Sequence, residues 1–180
     1  MLCDESPTPS WEEVMQSKQP ILTPVDAGHR VDLGGIGVHF KIPSETTDGL
    51  LSVVEHPVRP GSLAPPHTHA DEDELSYVID GVFGMRVGDT VVEAGPGTYV
   101  FKPRRVPHTF WNAGPGPARL LEIIFPAGFE RYFVEMAALL QEHGPDFDRI
   151  SELAAGYNLT FNLDWVPELT SRYPITVLGQ

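Results

Sequence analysis

From residue 31 to residue 124 the chain is a succession of short apolar-rich segments, each cut off within a few residues by glycine or proline. Strand candidates fall at 38–42, 50–55, 75–80, 84–87, 99–102 and 120–125. The breakers between them, among them Gly81, Gly88, Gly95, Gly97 and the Gly114-Pro115-Gly116-Pro117 run, leave no room for crossover helices. Neighbouring strands are therefore expected to pair mostly antiparallel, in an all-β sandwich or barrel. The 18 prolines and 17 glycines, about a fifth of the chain, fit many turns between short strands.

The texture changes on either side of this stretch. Residues 1–30 mix acids, prolines and isolated apolar side chains such as Trp11, Ile21 and Leu22, and read as a partly disordered strap over a surface. After Pro126, Phe129, Phe133, Met136 and Leu140 recur at helical spacing with charged residues between them. Gly144-Pro145 ends that helix, and 146–156 reads as a second, with Ile150, Leu153 and Ala154 on one side. Three parts follow: a strap (1–30), a β-barrel (31–126) and a helical extension packed on the barrel (127–180).

A net charge of -13 disfavours nucleic acid and anionic membrane surfaces as partners. Cys3 is the only cysteine, so no intrachain disulfide forms. With no basic-then-apolar N-terminal stretch and no apolar run of membrane length, the expectation is a cytoplasmic protein.

The chemistry concentrates in two segments. In the first, Gly61 is followed after five residues by His67-Thr68-His69, after four more by Glu74, and after six more by Gly81. In the second, Gly97 leads after five residues to Pro103, then to His108, and after three further residues to Asn112. Residues two apart in a strand share a face, so His67 and His69 can present two imidazoles to one point while Thr68 turns away. Glu74 can add a carboxylate oxygen and His108 a third nitrogen. Three imidazoles and a carboxylate suit one divalent transition metal, Fe, Mn, Ni, Co, Cu or Zn, rather than calcium.

The same parity puts Tyr99 with Phe101, Phe83 with Met85, and Phe110 with His108. These five aromatic and apolar residues are the candidates for the wall of a substrate cavity. Asp71, Glu72 and Asp73 read as a solvated loop and Arg104 and Arg105 as exposed turn residues. His29, His39, His56 and His143 read as surface or hydrogen-bonded structural histidines.

The two segments resemble the paired motifs of the cupin superfamily at Gly61, His67, His69, Glu74, Gly81, Gly97, Pro103, His108 and Asn112. All four metal-ligand positions of that family are filled. Arg105 departs from the pattern, standing where the second motif usually carries glycine, which puts the family's turn conformation there in question. The flanking strands and the Pro126-Ala127-Gly128-Phe129-Glu130 helix entry look similar to small single-domain cupins of the quercetin-dioxygenase-like group. The resemblance implies a double-stranded β-helix, the cupin jelly-roll barrel, and a homodimer. It also implies a metal-dependent dioxygenase acting on a small aromatic or enolic substrate, with Glu74 as ligand and proton acceptor. The alternatives are a redox-neutral isomerase, lyase or decarboxylase, or a non-catalytic small-molecule-binding cupin, because the fold does not choose the reaction.

Overall fold

The structure, a computed structural model, describes residues 20–177. Most of the expected strap, with Cys3 and Trp11, lies outside the described residues. Two sheets face each other. The first has the order β1 (Arg30–Asp32), β2 (Gly37–Ile42), β3 (Ser52–Val58), β11 (Ala118–Phe125), β6 (Asp73–Asp80) and β9 (Tyr99–Lys102). The second places β10 (His108–Asn112) among β5 (His67–His69), β4 (Ser62–Leu63) and β7 (Phe83–Val87), with β8 (Thr90–Ala94) on β7. Every pairing among these strands is antiparallel, in a jelly-roll order.

Strict alternation decides which side chains meet between the sheets. Along β11, Ala118, Leu120, Glu122 and Ile124 are buried while their neighbours are half-exposed, and β6 alternates likewise. Val38, Val54, Val78, Phe83, Met85, Leu120 and Ile124 fill the interior. β10 is buried on both faces. Trp111 points outward from it and packs with Leu63, Leu169 and Ile175. Its strand partner on that side is Gly84, where a Cβ would collide with the indole ring.

The region after residue 126 contains the two expected helices, α1 (Glu130–His143) and α2 (Phe147–Gly156). Asp146 caps α2 by accepting from the Asp148 and Arg149 amides. Phe129 just before α1, Tyr132 and Met136 within it, and Ile150 and Ala154 from α2 join Val38, Phe40, Val54 and Ile124 in one cluster. The chain then does more than the pattern suggested. β12 (Leu159–Phe161) pairs with β5, α3 (Val166–Arg172) covers Trp111 through Leu169, and β13 (Thr176–Val177) pairs in parallel with β4. A seven-residue helix has no stability of its own, so α3 depends on that packing. Among the described residues, no helix is long and apolar enough to cross a membrane.

Glu130 fastens α1 to the barrel. Its two carboxylate oxygens accept from the backbone amides of Ser44 (3.0 Å) and Gly128 (2.7 Å). Burial alone would raise this carboxyl, but these hydrogen bonds outweigh it and hold it below its ordinary value. Its stabilisation is therefore present above about pH 4.3, the ordinary glutamate value, and is lost as pH falls through the lower folded value. Glu130→Gln is expected to cost about 1.5–3 kcal/mol at pH 7, the range for hydrogen bonds to a charged group. The gap between wild type and variant should narrow at pH 3, as read from denaturant melts at both pH values.

Candidate metal centre

The three histidines converge because of strand pairing. His67 and His69 point inward from β5 at i and i+2, while Thr68 turns outward and donates to Asn162 Oδ1 at 2.6 Å. His108 opens β10 directly opposite His67, with ring centroids 4.5 Å apart. Glu74 reaches in from β6 on the opposite sheet, its oxygens 3.4 Å from His69 Nε2 and 3.1 Å from His108 Nε2. One ligand atom from each of His67, His69, Glu74 and His108 lies within 4.8 Å of the others.

Backbone carbonyls orient two of the rings. His67 Nδ1 lies 2.7 Å from the Pro65 carbonyl and His108 Nδ1 lies 3.0 Å from the Val106 carbonyl. A neutral imidazole donating from Nδ1 presents its Nε2 lone pair to the common point, the arrangement used by metal-binding histidines. His69 Nδ1 faces Glu72 Oε2 at 3.3 Å. Both ring nitrogens of His69, and Nε2 of His108, are buried without a hydrogen-bond partner. Buried polar atoms of that kind call for a missing partner, and a cation among three nitrogens and a carboxylate supplies it. The donor set therefore fits a divalent transition metal.

Electrostatics favours the ligating forms of His67 and Glu74. Burial and the neighbouring His108 and His69 push His67 well below its ordinary value, so it is neutral. Burial would also lower His69, but the Glu74 and Glu72 carboxylates outweigh it and raise His69 to about 9. Burial would raise Glu74, yet Lys102 and His69 hold its carboxyl well below the usual range. The ring that keeps a proton at neutral pH is thus the one most surrounded by carboxylates.

Lys102, Glu122 and His56 also face the interior, and sequence reasoning gave none of them a site role. Lys102, 1% exposed, puts Nζ 2.7 Å from Glu74 Oε2 and 2.6 Å from Glu122 Oε1. Burial would lower its pKa, but the two carboxylates outweigh that and hold it above its ordinary value. Ser76 donates to Glu122 Oε1 at 2.7 Å, and His56 Nε2 lies 3.9 Å from Glu122 Oε2. The signal was present in sequence as one ionisable residue on the inner parity of each apolar strand, at His56, Glu122 and Lys102.

A cavity of about 70 Å³ opens beside the cluster. His67, Glu74, His56 and Glu122 supply its polar wall, and the rest is apolar, with Phe110 and Phe133 among the lining residues. Of the five residues expected to wall a cavity, only Phe110 lines this one. Phe83 and Met85 lie in the core cluster behind it, packed among Val58, Val78 and Leu120. Tyr99 and Phe101 lie on the outer face of the first sheet, 67% and 52% exposed. They share a face as parity required, but Lys102 and Val100 take the inner one. The expected solvated acidic loop is partly engaged: Asp73 binds Arg104 at 2.8 Å and Glu72 approaches His69. Arg105 adopts φ 64°, the left-handed conformation usually given to glycine, and its amide donates to the His69 carbonyl at 2.6 Å. The turn keeps its shape despite the side chain.

Titration with Co²⁺ or Mn²⁺ is expected to give saturable binding that weakens as pH falls, because uptake at neutral pH displaces the His69 proton. His108→Ala should weaken binding by more than the roughly 10–100-fold typical of losing an outer partner of a ligand. Calorimetry in matched buffers checks both.

Residues 55–124 match the Cupin domain family. No curated protein sequence matches the chain significantly. Solved structures share the fold. An RmlC-like cupin from Shewanella frigidimarina is 20% identical with a TM-score of 0.54, covering 63% of this chain and 97% of its own. A predicted oxalate decarboxylase from Thermotoga maritima is 18% identical with a TM-score of 0.53, covering 60% of this chain and 99% of its own. The polyketide cyclase RemF from Streptomyces resistomycificus is 24% identical with a TM-score of 0.52, covering 59% of this chain and 80% of its own. Over residues 55–124 the chain is similar to the Cupin domain family, and its fold is the one these solved structures share.

Proposed function

We propose that the protein is a metal-dependent enzyme, a dioxygenase-type oxygenase acting on a small aromatic or enolic substrate. The observation that carries this reading is a cluster of three imidazoles and a carboxylate, two members of which, His67 and Glu74, line a mostly apolar, partly aromatic cavity. A divalent transition metal held by His67, His69, Glu74 and His108 supplies Lewis acidity and, for a redox-active ion, access to oxygen chemistry. The chain's own residues do the rest. Phe110, Phe129 and Phe133 exclude water and offer ring faces to a planar substrate. Glu74 and Glu122 bring two negative charges, offset by Lys102. A divalent ion in place of the His69 proton adds one positive charge to the site, which draws the oxygen of an enol, phenol or carboxylate. The cavity is small beside the roughly 300–1,000 Å³ of drug-sized sites, which favours a single-ring or few-carbon substrate over a flavonol.

A redox-neutral reading, as an isomerase, lyase or decarboxylase, draws support from the ionisable groups of the cavity wall, His56 and Glu122, which suit proton transfer. It also fits the descriptions of a predicted oxalate decarboxylase and a polyketide cyclase among similar folds. An oxygen electrode, with protein loaded in turn with Fe, Mn, Ni, Co and Cu and offered catechols and enolic acids, separates the readings. Oxygen uptake matched to substrate loss is expected. Turnover under strict anaerobiosis would assign the redox-neutral chemistry, and recovery of unchanged ligand after metal-dependent binding would assign a binding protein.

We also propose a homodimer through the outer face of the first sheet. Tyr99 and Phe101 stand exposed there on the edge strand β9, with Tyr77 and Phe125 packed beside them. A patch of this kind on an unpaired edge suits a second sheet of the same chemistry. Light scattering is expected to give the mass of two chains and Phe101→Glu the mass of one; a concentration-independent single-chain mass for the wild type contradicts the assignment.

A further inference from the structure

A second ionisable pair, outside the candidate ligand set, faces the cavity. His56 projects inward from β3 and Glu122 from β11, and both line the cavity together with His67 and Glu74. His56 is 2% exposed, and its Nδ1 lies 2.9 Å from the Gly37 carbonyl. A ring that donates from Nδ1 carries its lone pair on Nε2. That nitrogen has Glu122 Oε2 as its polar neighbour at 3.9 Å, too long for a hydrogen bond but close enough to stabilise an imidazolium. Phe110 and Phe133 flank the ring at centroid distances of 6.0 and 5.5 Å and fix its plane. A buried histidine that only packed would have both nitrogens satisfied or an apolar isostere in its place; this one keeps its basic nitrogen beside a carboxylate at a cavity wall.

We propose that His56 is the general base of the cavity, with Glu122 as the carboxylate that holds the resulting charge. The substrate class is a small, largely apolar molecule with one acidic O–H group, such as a phenol or enol. In the step, the O–H bond breaks, its electron pair stays on the substrate oxygen, and the proton forms a new N–H bond at His56 Nε2. No oxidant or reductant is consumed. The inference rests on the metal-site reading above, because that site receives the anionic oxygen.

Two features of the surroundings support the assignment. Glu74, the carboxylate expected from the family resemblance to take this proton, has Oε2 2.7 Å from the buried Lys102 ammonium and 3.1 Å from His108 Nε2, and Oε1 3.4 Å from His69 Nε2, so both oxygens are committed to the candidate metal cluster, whereas Glu122 Oε2 faces His56. The charged groups around His56 come from separate strands: Glu122 from β11, Lys102 from β9 and Glu74 from β6. Burial lowers His56 more than the carboxylates raise it, so the ring is neutral and able to accept a proton at pH 7.

The test counts protons. Zn²⁺-loaded wild type and His56→Asn, a variant that keeps a donor for the Gly37 carbonyl and deletes Nε2, are titrated with 4-cyanophenol, which carries a single acidic O–H, in buffers of differing ionisation enthalpy. The wild type should keep the ligand's proton, and the variant should release roughly one more proton per ligand to buffer. Equal release from both proteins overturns the inference and leaves the metal-site reading standing. Absence of Zn²⁺-dependent binding to wild type overturns both. A second measurement needs no variant: the ¹⁵N shift of His56 Nε2 in the Zn²⁺-loaded wild type should move from unprotonated to protonated on ligand addition. An unprotonated Nε2 with ligand bound overturns the inference.

Discussion

Two carboxylates, Glu74 and Glu122, project from the inner face of the first sheet, and one ammonium, Lys102, lies between them at 2.7 and 2.6 Å. Taking such charges out of water costs several kcal/mol per ion even after relaxation, and only close pairing with further hydrogen bonds offsets it. The arrangement leaves one negative charge to be balanced. Within the chain that balance comes from His69, raised to about 9 by Glu74 and Glu72 against the lowering effect of burial. The same surplus is what a divalent cation would meet. An interior that has to hold a positive charge beside three imidazoles is already arranged for a metal.

The rest of the molecule keeps that arrangement dry and fixed. β5 is paired on one side by β10 and on the other by β12, so the two histidines of the His-x-His segment sit in a strand with neighbours on both edges. Phe129, at the entry to α1, packs edge-on against His69 with centroids 4.2 Å apart, and Glu130 fastens that entry to the barrel. The helices therefore bear directly on the site. Because Phe129 belongs to the core cluster and also touches His69, a disturbance of that packing is felt at the candidate site.

The sequence made some of this legible and concealed the rest for physical reasons. His67, His69, Glu74 and His108 were readable because strand parity and motif spacing are local properties. Parity also showed that Tyr99 and Phe101 share a face, but a period of two does not say which face is inward. Lys102, next along the same strand, takes the inner one. His56 and Glu122 meet only because β3 and β11 are neighbours in the sheet, and Ser76 and Glu122 are 46 residues apart. β12 and β13, three and two residues long, are too short to leave a periodic trace. Arg105 broke a glycine pattern without changing the turn, because its amide contact with the His69 carbonyl is made by backbone, whichever side chain is attached.

X-ray absorption at the zinc edge of Zn²⁺-loaded protein tests the central claim most directly. The account predicts a first shell of nitrogen and oxygen donors at about 2.0–2.2 Å, with the outer-shell scattering of three imidazole rings. A shell with fewer than three imidazoles, or one made of water and carboxylate oxygens alone, would contradict it.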